Sequence, residues 1–293
     1  MDLMDLMASW RRHLEAENKS KDTLRTYTDG VTAFAAWCAA EGREAELDED
    51  TVVDWVNSLH AAGRSGNTAV CRQAAVRRFS KWLARKGYIP ADLLRDLERP
   101  KAPEGALIPL SDAELRRLVD TCKGKAFHQV RDRAAIMFMY ETGVRASELT
   151  GMTMADVDLD ERRAVIRGKG GTARLVGFSP QCNAALDDYR RARRRHRLAA
   201  GNSLWLGADG RRFGYWGLYN MIRRRGEAIG ITDLHPHRLR STSAVRWLRK
   251  GGSPTGLMAQ AGWASVDMLR RYIRTAESEL AAAEADRLKL GDL

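Results

Sequence analysis

The chain of 293 residues holds only four cysteines, Cys38, Cys71, Cys122 and Cys182, and no two of them form a CxxC pair. That scarcity argues against a cysteine zinc site and a disulfide framework, and fits a reducing compartment. No apolar run approaches the roughly 18 residues of a membrane span, and the N-terminus has no signal-peptide pattern, so a soluble intracellular protein with no membrane partner is expected. No Gly-rich loop has nucleotide-binding spacing: Gly168-Lys169-Gly170-Gly171 is too short for a P-loop and turns between two predicted strands. Neither a metal nor another cofactor is expected. No internal repeat is present.

What is abundant is positive charge. Lys and Arg number 49 against 38 Asp and Glu, a net charge of +11. Residues 1–100 carry 15 basic against 16 acidic side chains, so the rest carries 34 against 22. An excess gathered in one region fits a polyanionic partner, although an Arg-rich surface also serves solubility.

The first hundred residues read as helices. Leu3, Met7, Trp10 and Leu14 recur at helical spacing, and Ser20 precedes a helix carrying Tyr27, Val31, Phe34 and Trp37. An acidic stretch leads into a helix with Val52, Trp55, Val56 and Leu59, and a longer helix spans about 67–86. That last helix buries Val76, Phe79, Trp82 and Leu83, while Arg72, Arg77, Arg78, Lys81, Arg85 and Lys86 leave it without an acid. Such a face suits a phosphate backbone, with a solvated surface as the bland alternative. Three prolines and a glycine in 98–109 predict a linker. The expected division is therefore a helical domain over 1–97, a second domain over 110–275 and a tail helix over 276–293.

In the second part, Ser111-Asp112-Ala113-Glu114 predicts a capping box, Arg131–Thr142 a helix ended by Gly143, and 162–167 with 173–178 a hairpin. Further helices are expected over 181–200, 215–229, 237–250, 255–262, 265–274 and 277–288.

Several residues of this part could cleave a phosphodiester. Tyr272 can supply a nucleophilic hydroxyl. Arginine forks stay charged and grip non-bridging oxygens, which suits Arg145 and Arg240. Glu148, three positions after Arg145, could orient its guanidinium from the same helical face; a surface ion pair is the alternative. His237 lies three before Arg240, and His235 is a rival better placed in a loop. Lys169 at the hairpin tip could protonate a leaving oxygen, and the Trp263 indole could donate one hydrogen bond to phosphate, although most tryptophans are core residues.

The order of these pieces resembles the tyrosine recombinase (phage integrase) family. Thr142-Gly143-Val144-Arg145 with Glu148-Leu149, then Gly168-Lys169-Gly170, His237 with Arg240, Gly262-Trp263 and finally Tyr272 match its five motifs in sequence. Ser20, Thr23 and Tyr27 look like the start of its core-binding domain. The resemblance implies a mainly α fold with a small β-sheet: a two-domain DNA clamp with an N-terminal SAM-like helical bundle and a C-terminal catalytic domain. It also implies a covalent 3′-phosphotyrosine and strand exchange through a Holliday junction. The implied partners are double-stranded DNA attachment sites, further copies forming a tetramer, and an accessory or directionality factor. The place would be the cytoplasm, at the nucleoid of a bacterial host.

In this light Arg190, Arg191, Arg193, Arg194, Arg195 and Arg197, with Arg223–Arg225, are expected phosphate contacts, with a solvated face as the alternative. The tail, with Leu280, Ala283 and Leu288 as anchors, is expected to dock on a neighbouring protomer, or else in cis. Ser241 stands where the family often has a second histidine, and Trp263 where histidine is commoner, so both affect proton handling. The helical domain begins almost at Met1, which points to a simple system with short sites. Together these features favour integration or excision of a phage or mobile element. Xer-type chromosome dimer resolution, a catalytically weak DNA-binding accessory protein and a topoisomerase are the rival readings.

Overall fold

The computed structural model describes residues 3–101, 107–168, 171–208 and 210–288; on the last helix the side chains of 278–280, 283 and 286–288 lie outside the description. The chain divides into two compact units, Met1–Gly105 and Ala106–Leu293.

The first unit is a helical bundle of α1 (Leu3–Ala16), α2 (Lys21–Ala40), α3 (Glu49–Ala61) and α4 (Gly66–Lys86). Ser20, Asp48 and Ser65 start α2, α3 and α4 by accepting the amide three residues on, which satisfies a donor the helix cannot. Gly87, at φ 76°, ends α4 in a left-handed cap. The core is aromatic: Trp10 meets Phe79 at 4.8 Å between centroids, and Phe34 meets Trp55 edge-on at 5.1 Å. Each such ring contributes about 1.5–3 kcal/mol through burial. Gly30 lets α2 and α4 close up, since a Cβ there would stand 2.5 Å from that of Ala75.

The second unit starts with α5 (Asp112–Asp120), opened by the expected capping box between Ser111 and Glu114. Next come α6 (Phe127–Thr142) and α7 (Ala146–Gly151). The antiparallel sheet is β1 (Val157–Asp158), β2 (Arg163–Arg167) and β3 (Ala173–Gly177), in that order. Then follow α8 (Pro180–Arg193), α9 (Tyr215–Glu227), α10 (Pro236–Arg249), α11 (Pro254–Ala261) and α12 (Val266–Leu288). Ala134 to Met139 of α6 are all buried. A helix apolar on every side belongs at the centre, and α6 lies between α8 and α10.

Three elements differ from expectation. The two-residue strand β1 carries too short a pattern to be read. Helix α8 stops at Arg193, not near Ala200, because the Arg193 guanidinium draws the following chain back. It donates to the carbonyls of Ala199 (3.0 Å), Gly201 (2.6 Å), Ser203 (2.6 Å) and Leu204 (3.1 Å). The last two expected helices are one, since nothing between Arg274 and Glu277 breaks the backbone pattern of α12. No described helix is long and apolar enough to cross a membrane.

Candidate active site

Gly143 ends α6 at φ 64°, and a Cβ there would crowd the Ser243 hydroxyl at 3.1 Å. The turn aims the Gly143 carbonyl at Arg240, which donates to it and to the Ala261 carbonyl at 2.8 Å. Arg240 lies on α10 and is 4% exposed. Two residues beyond Gly143, Arg145 is the N-cap of α7 with an extended backbone, φ −72° and ψ 153°. The sequence placed Arg145 and Glu148 on one helical face. Arg145 instead precedes the helix, and Glu148 reaches back from its first turn. The Glu148 carboxylate accepts the Arg145 amide and the Arg145 guanidinium, each at 2.8 Å. Arg145 also donates to the Gly262 carbonyl at 3.3 Å.

Arg174 belongs to no motif in the sequence, yet it enters the site. From β3 it forks onto Glu148 at 3.0 and 2.7 Å and donates through Nε to the Gln260 carbonyl at 2.9 Å. A signal was present: strand alternation puts Arg174 on the face of buried Val176, paired in register with buried Ile166. An arginine facing inward needs a partner.

Trp263 follows Gly262 and is 7% exposed. Its indole N–H has no hydrogen-bond partner among the described residues. Its ring lies against Tyr272, with centroids 4.7 Å and planes 17° apart, and the Arg240 guanidinium sits 5.5 Å from its centroid. Tyr272, on the second turn of α12, is 1% exposed. Arg145, Glu148, Arg240, Trp263 and Tyr272 are therefore one connected cluster. His237 stands on the first turn of α10 at the rim. His235 is the N-cap of α10, its ring 6.4 Å from that of His237. Ser241 is buried, and its hydroxyl too finds no partner among the described residues. Lys169 lies outside the described residues, as do the side chains of Leu280, Ala283 and Leu288.

Two guanidinium groups, Arg145 and Arg174, pair with the Glu148 carboxylate, and Arg240 lies near enough to feel its charge. Burial would raise the Glu148 pKa, but hydrogen bonds from Arg174 and from the Arg145 amide and side chain outweigh it and hold it at about 2. Burial, with Arg145 close by, pushes Arg240 down to about 10, so it remains charged at neutral pH. Desolvation of the imidazole, then the charges of His235, Arg240 and Arg271, lower the His237 pKa from 6.5 and favour its neutral form. Surplus positive charge beside a donor without a partner and a tyrosine is an arrangement suited to an anionic phosphate.

The expected DNA contacts fare unevenly. Arg193 is 4% exposed, and its donors serve the carbonyls after α8, so the expectation of a phosphate contact there is corrected. Arg77 donates to the carbonyls of Leu94 and Arg95, and Arg78 pairs with Glu17 while lying over Tyr27, so the face of α4 is not uniformly free cation. Arg225 is held by Asp132 and the Thr121 carbonyl. Arg72, half-buried, and Lys81 and Arg194, both exposed, have no ion pair among the described residues. Sequence reasoning also passed over Tyr215 and Trp216, 47% and 70% exposed, which meet edge-on at 5.4 Å at the start of α9.

Comparison with known proteins agrees with this geometry. Residues 109–279 match the family model described as the phage integrase family, and residues 7–87 match its N-terminal SAM-like domain. Tyrosine recombinase XerD of Bifidobacterium longum (strain NCC 2705) is 28% identical over 271 residues, 88% of this chain and 88% of that protein. Tyrosine recombinase XerC of Roseiflexus sp. (strain RS-1) is 26% identical over 277 residues, covering 92% and 88%. Among solved structures, XerH site-specific recombinase bound to a palindromic difH substrate shares the fold at TM-score 0.77 and 19% identity, over 92% of this chain and 81% of that one. The Tn1549 transposon integrase in complex with transposon right end DNA does so at 0.76 and 18%, over 99% and 100%. The chain belongs to the phage integrase family, the tyrosine recombinases, an enzyme class that transfers DNA strands.

Proposed function

We propose that this chain is a site-specific recombinase in which Tyr272 attacks the scissile phosphate of duplex DNA. The Tyr272 oxygen bonds to phosphorus, the 5′-oxygen leaves, and a 3′-phosphotyrosine conserves the bond for religation. Arg145 and Arg240 grip the non-bridging oxygens in place of the carbonyls they hold here, and Trp263 supplies its N–H. His237, its neutral form favoured, accepts the Tyr272 proton or hydrogen-bonds the phosphate, and Lys169 protonates the leaving 5′-oxygen. The observation that carries this reading is the stack of Tyr272 on Trp263 beside Arg240. Because Tyr272 is 1% exposed, attack requires α12 to shift.

The domain roles follow: residues 1–97 bind DNA around the site, 98–109 link, 110–275 carry the chemistry, and the tail 276–293 docks on a neighbouring copy. Strand exchange through a Holliday junction then needs a tetramer on two sites, with an accessory factor setting direction. Half-buried Arg72, exposed Lys81 and Arg194, and the aromatic start of α9 are DNA-facing surfaces. Integration or excision of a phage or mobile element is the role we favour, supported by Ser241 and Trp263. Xer-type chromosome dimer resolution is the second reading, supported by relatives named XerC and XerD.

The test is a nicked suicide duplex built on the sequence this protein enriches from a randomised duplex library. Wild type should form a covalent protein–DNA adduct and Tyr272→Phe none. Tight specific binding with no adduct from either protein would support an accessory DNA-binding role instead. Supercoil relaxation without site preference would indicate a topoisomerase.

A further inference from the structure

The hairpin of β2 and β3, the start of α7 and the end of α11 reach the site from three separate stretches of chain. One side chain joins them. Arg174 on β3 forks onto Glu148 of α7 at 2.7 and 3.0 Å, and its Nε holds the Gln260 carbonyl of α11 at 2.9 Å. Three residues beyond Gln260 stands Trp263, and six before Arg174 is Gly168, where the hairpin turn begins. Gly262 fits closely over the same guanidinium, since a Cβ there would meet the Arg174 Nη1 at 2.9 Å.

The charge relations give this strut a second effect. The Glu148 side chain is 5% exposed, and Arg174 and Arg145 are its two ion-pair partners among the described residues. Arg174 is shielded, its side chain 13% exposed, whereas that of Arg145 is 43% exposed and able to meet a ligand. A carboxylate already neutralised by a bidentate fork competes less for a second guanidinium. Without Arg174, the buried Glu148 would have only Arg145 to satisfy it.

We propose that Arg174 is a positioning residue for strand cleavage: by neutralising Glu148 and tying β3 to α11, it leaves the Arg145 guanidinium available to the scissile phosphate. The inference rests on the reading of Arg145 as a phosphate ligand. Arg174 itself touches no substrate.

Full-length Arg174→Gln, Glu148→Gln, the double variant and Arg145→Ala are compared on the suicide duplex under single-turnover conditions, at a temperature where all are folded. Arg174→Gln should cut the cleavage rate on the order of 10²-fold, the size of losing one preorganised donor, with DNA affinity within about twofold of wild type. Adding Glu148→Gln should restore the rate at least tenfold, because a neutral side chain no longer draws Arg145 away. A wild-type rate in Arg174→Gln, or a smaller restoration in the double variant, overturns the proposal, since a strut alone is not repaired by removing its partner's charge. If Arg174→Gln does not fold, Arg174→Lys decides. It keeps the charge but not the fork, and should cleave about tenfold slower at retained affinity, whereas a wild-type rate overturns the proposal. Undiminished adduct formation by Arg145→Ala would reject the underlying reading of Arg145, independently of Arg174.

Discussion

Trp263 and Tyr272 lie face to face, 4.7 Å between centroids, and the indole N–H that could reach a phosphate makes no hydrogen bond among the described residues. The proposed nucleophile and a proposed donor for its target are thus packed together. Trp263→Phe keeps an aromatic surface for Tyr272 and removes only the N–H and part of the ring. Single-turnover cleavage should fall on the order of 10²-fold, while DNA affinity stays level. Chemical denaturation should show a loss near 1 kcal/mol for the smaller ring. Cleavage at the wild-type rate would remove Trp263 from the phosphate site.

Glu148 makes stability depend on acid in a defined window. Its folded pKa of about 2 lies below the ordinary 4.5, so its stabilisation is complete above pH 4.5 and is lost as pH falls through 2. The difference corresponds to roughly 3 kcal/mol. Urea denaturation of wild type and Glu148→Gln should therefore diverge at pH 7 and converge as pH drops from 4.5 toward 2. A gap that stays constant with pH would contradict the ion-pair account.

Because the His237 pKa is lowered from 6.5, the acidic limb of wild-type cleavage should have its midpoint below 6.5, where the proposed proton acceptor becomes occupied. His237→Asn should be slower throughout and lack that acidic limb. A pH–rate profile of the suicide reaction reads both. A wild-type midpoint above 6.5 would assign the acceptor role elsewhere.

Arg193 and the pair Arg72 and Lys81 should separate cleanly in solution. Arg193→Ala abandons the carbonyls of Ala199, Gly201 and Ser203, and should cost about 3 kcal/mol of stability without altering the salt dependence of DNA binding. Arg72→Ala or Lys81→Ala should leave stability nearly untouched and reduce the slope of log affinity against log salt by about 0.9 for each phosphate no longer neutralised. Fluorescence anisotropy across a salt series checks this, and an unchanged slope would take either residue off the DNA surface.

The sequence was most legible where structure is local. Ser20, Ser111 and Gly143 announce helix ends through hydrogen bonds and backbone angles within a few residues. The motif residues Arg145, Arg240, Trp263 and Tyr272 converge as their order implied. What could not be read depends on partners far along the chain. Arg193 looked like one more cation in a basic run, because its carbonyl partners lie six to eleven residues on and bind it only after the chain turns back. Arg174 looked like an ordinary strand residue, because Glu148 and Gln260 lie 26 and 86 positions away. The basic face of α4 was read from α4 alone, whereas Glu17, which pairs with Arg78, comes just after α1.

Because α12 continues from Val266 to Leu288 without a break, Tyr272 and Leu288 share one rod. Sixteen residues of helix separate Tyr272 from Leu288, about 24 Å at 1.5 Å per residue. A rod converts force at one end into displacement at the other. A grip on the distal end of α12 would therefore act on a lever whose short arm carries the proposed nucleophile.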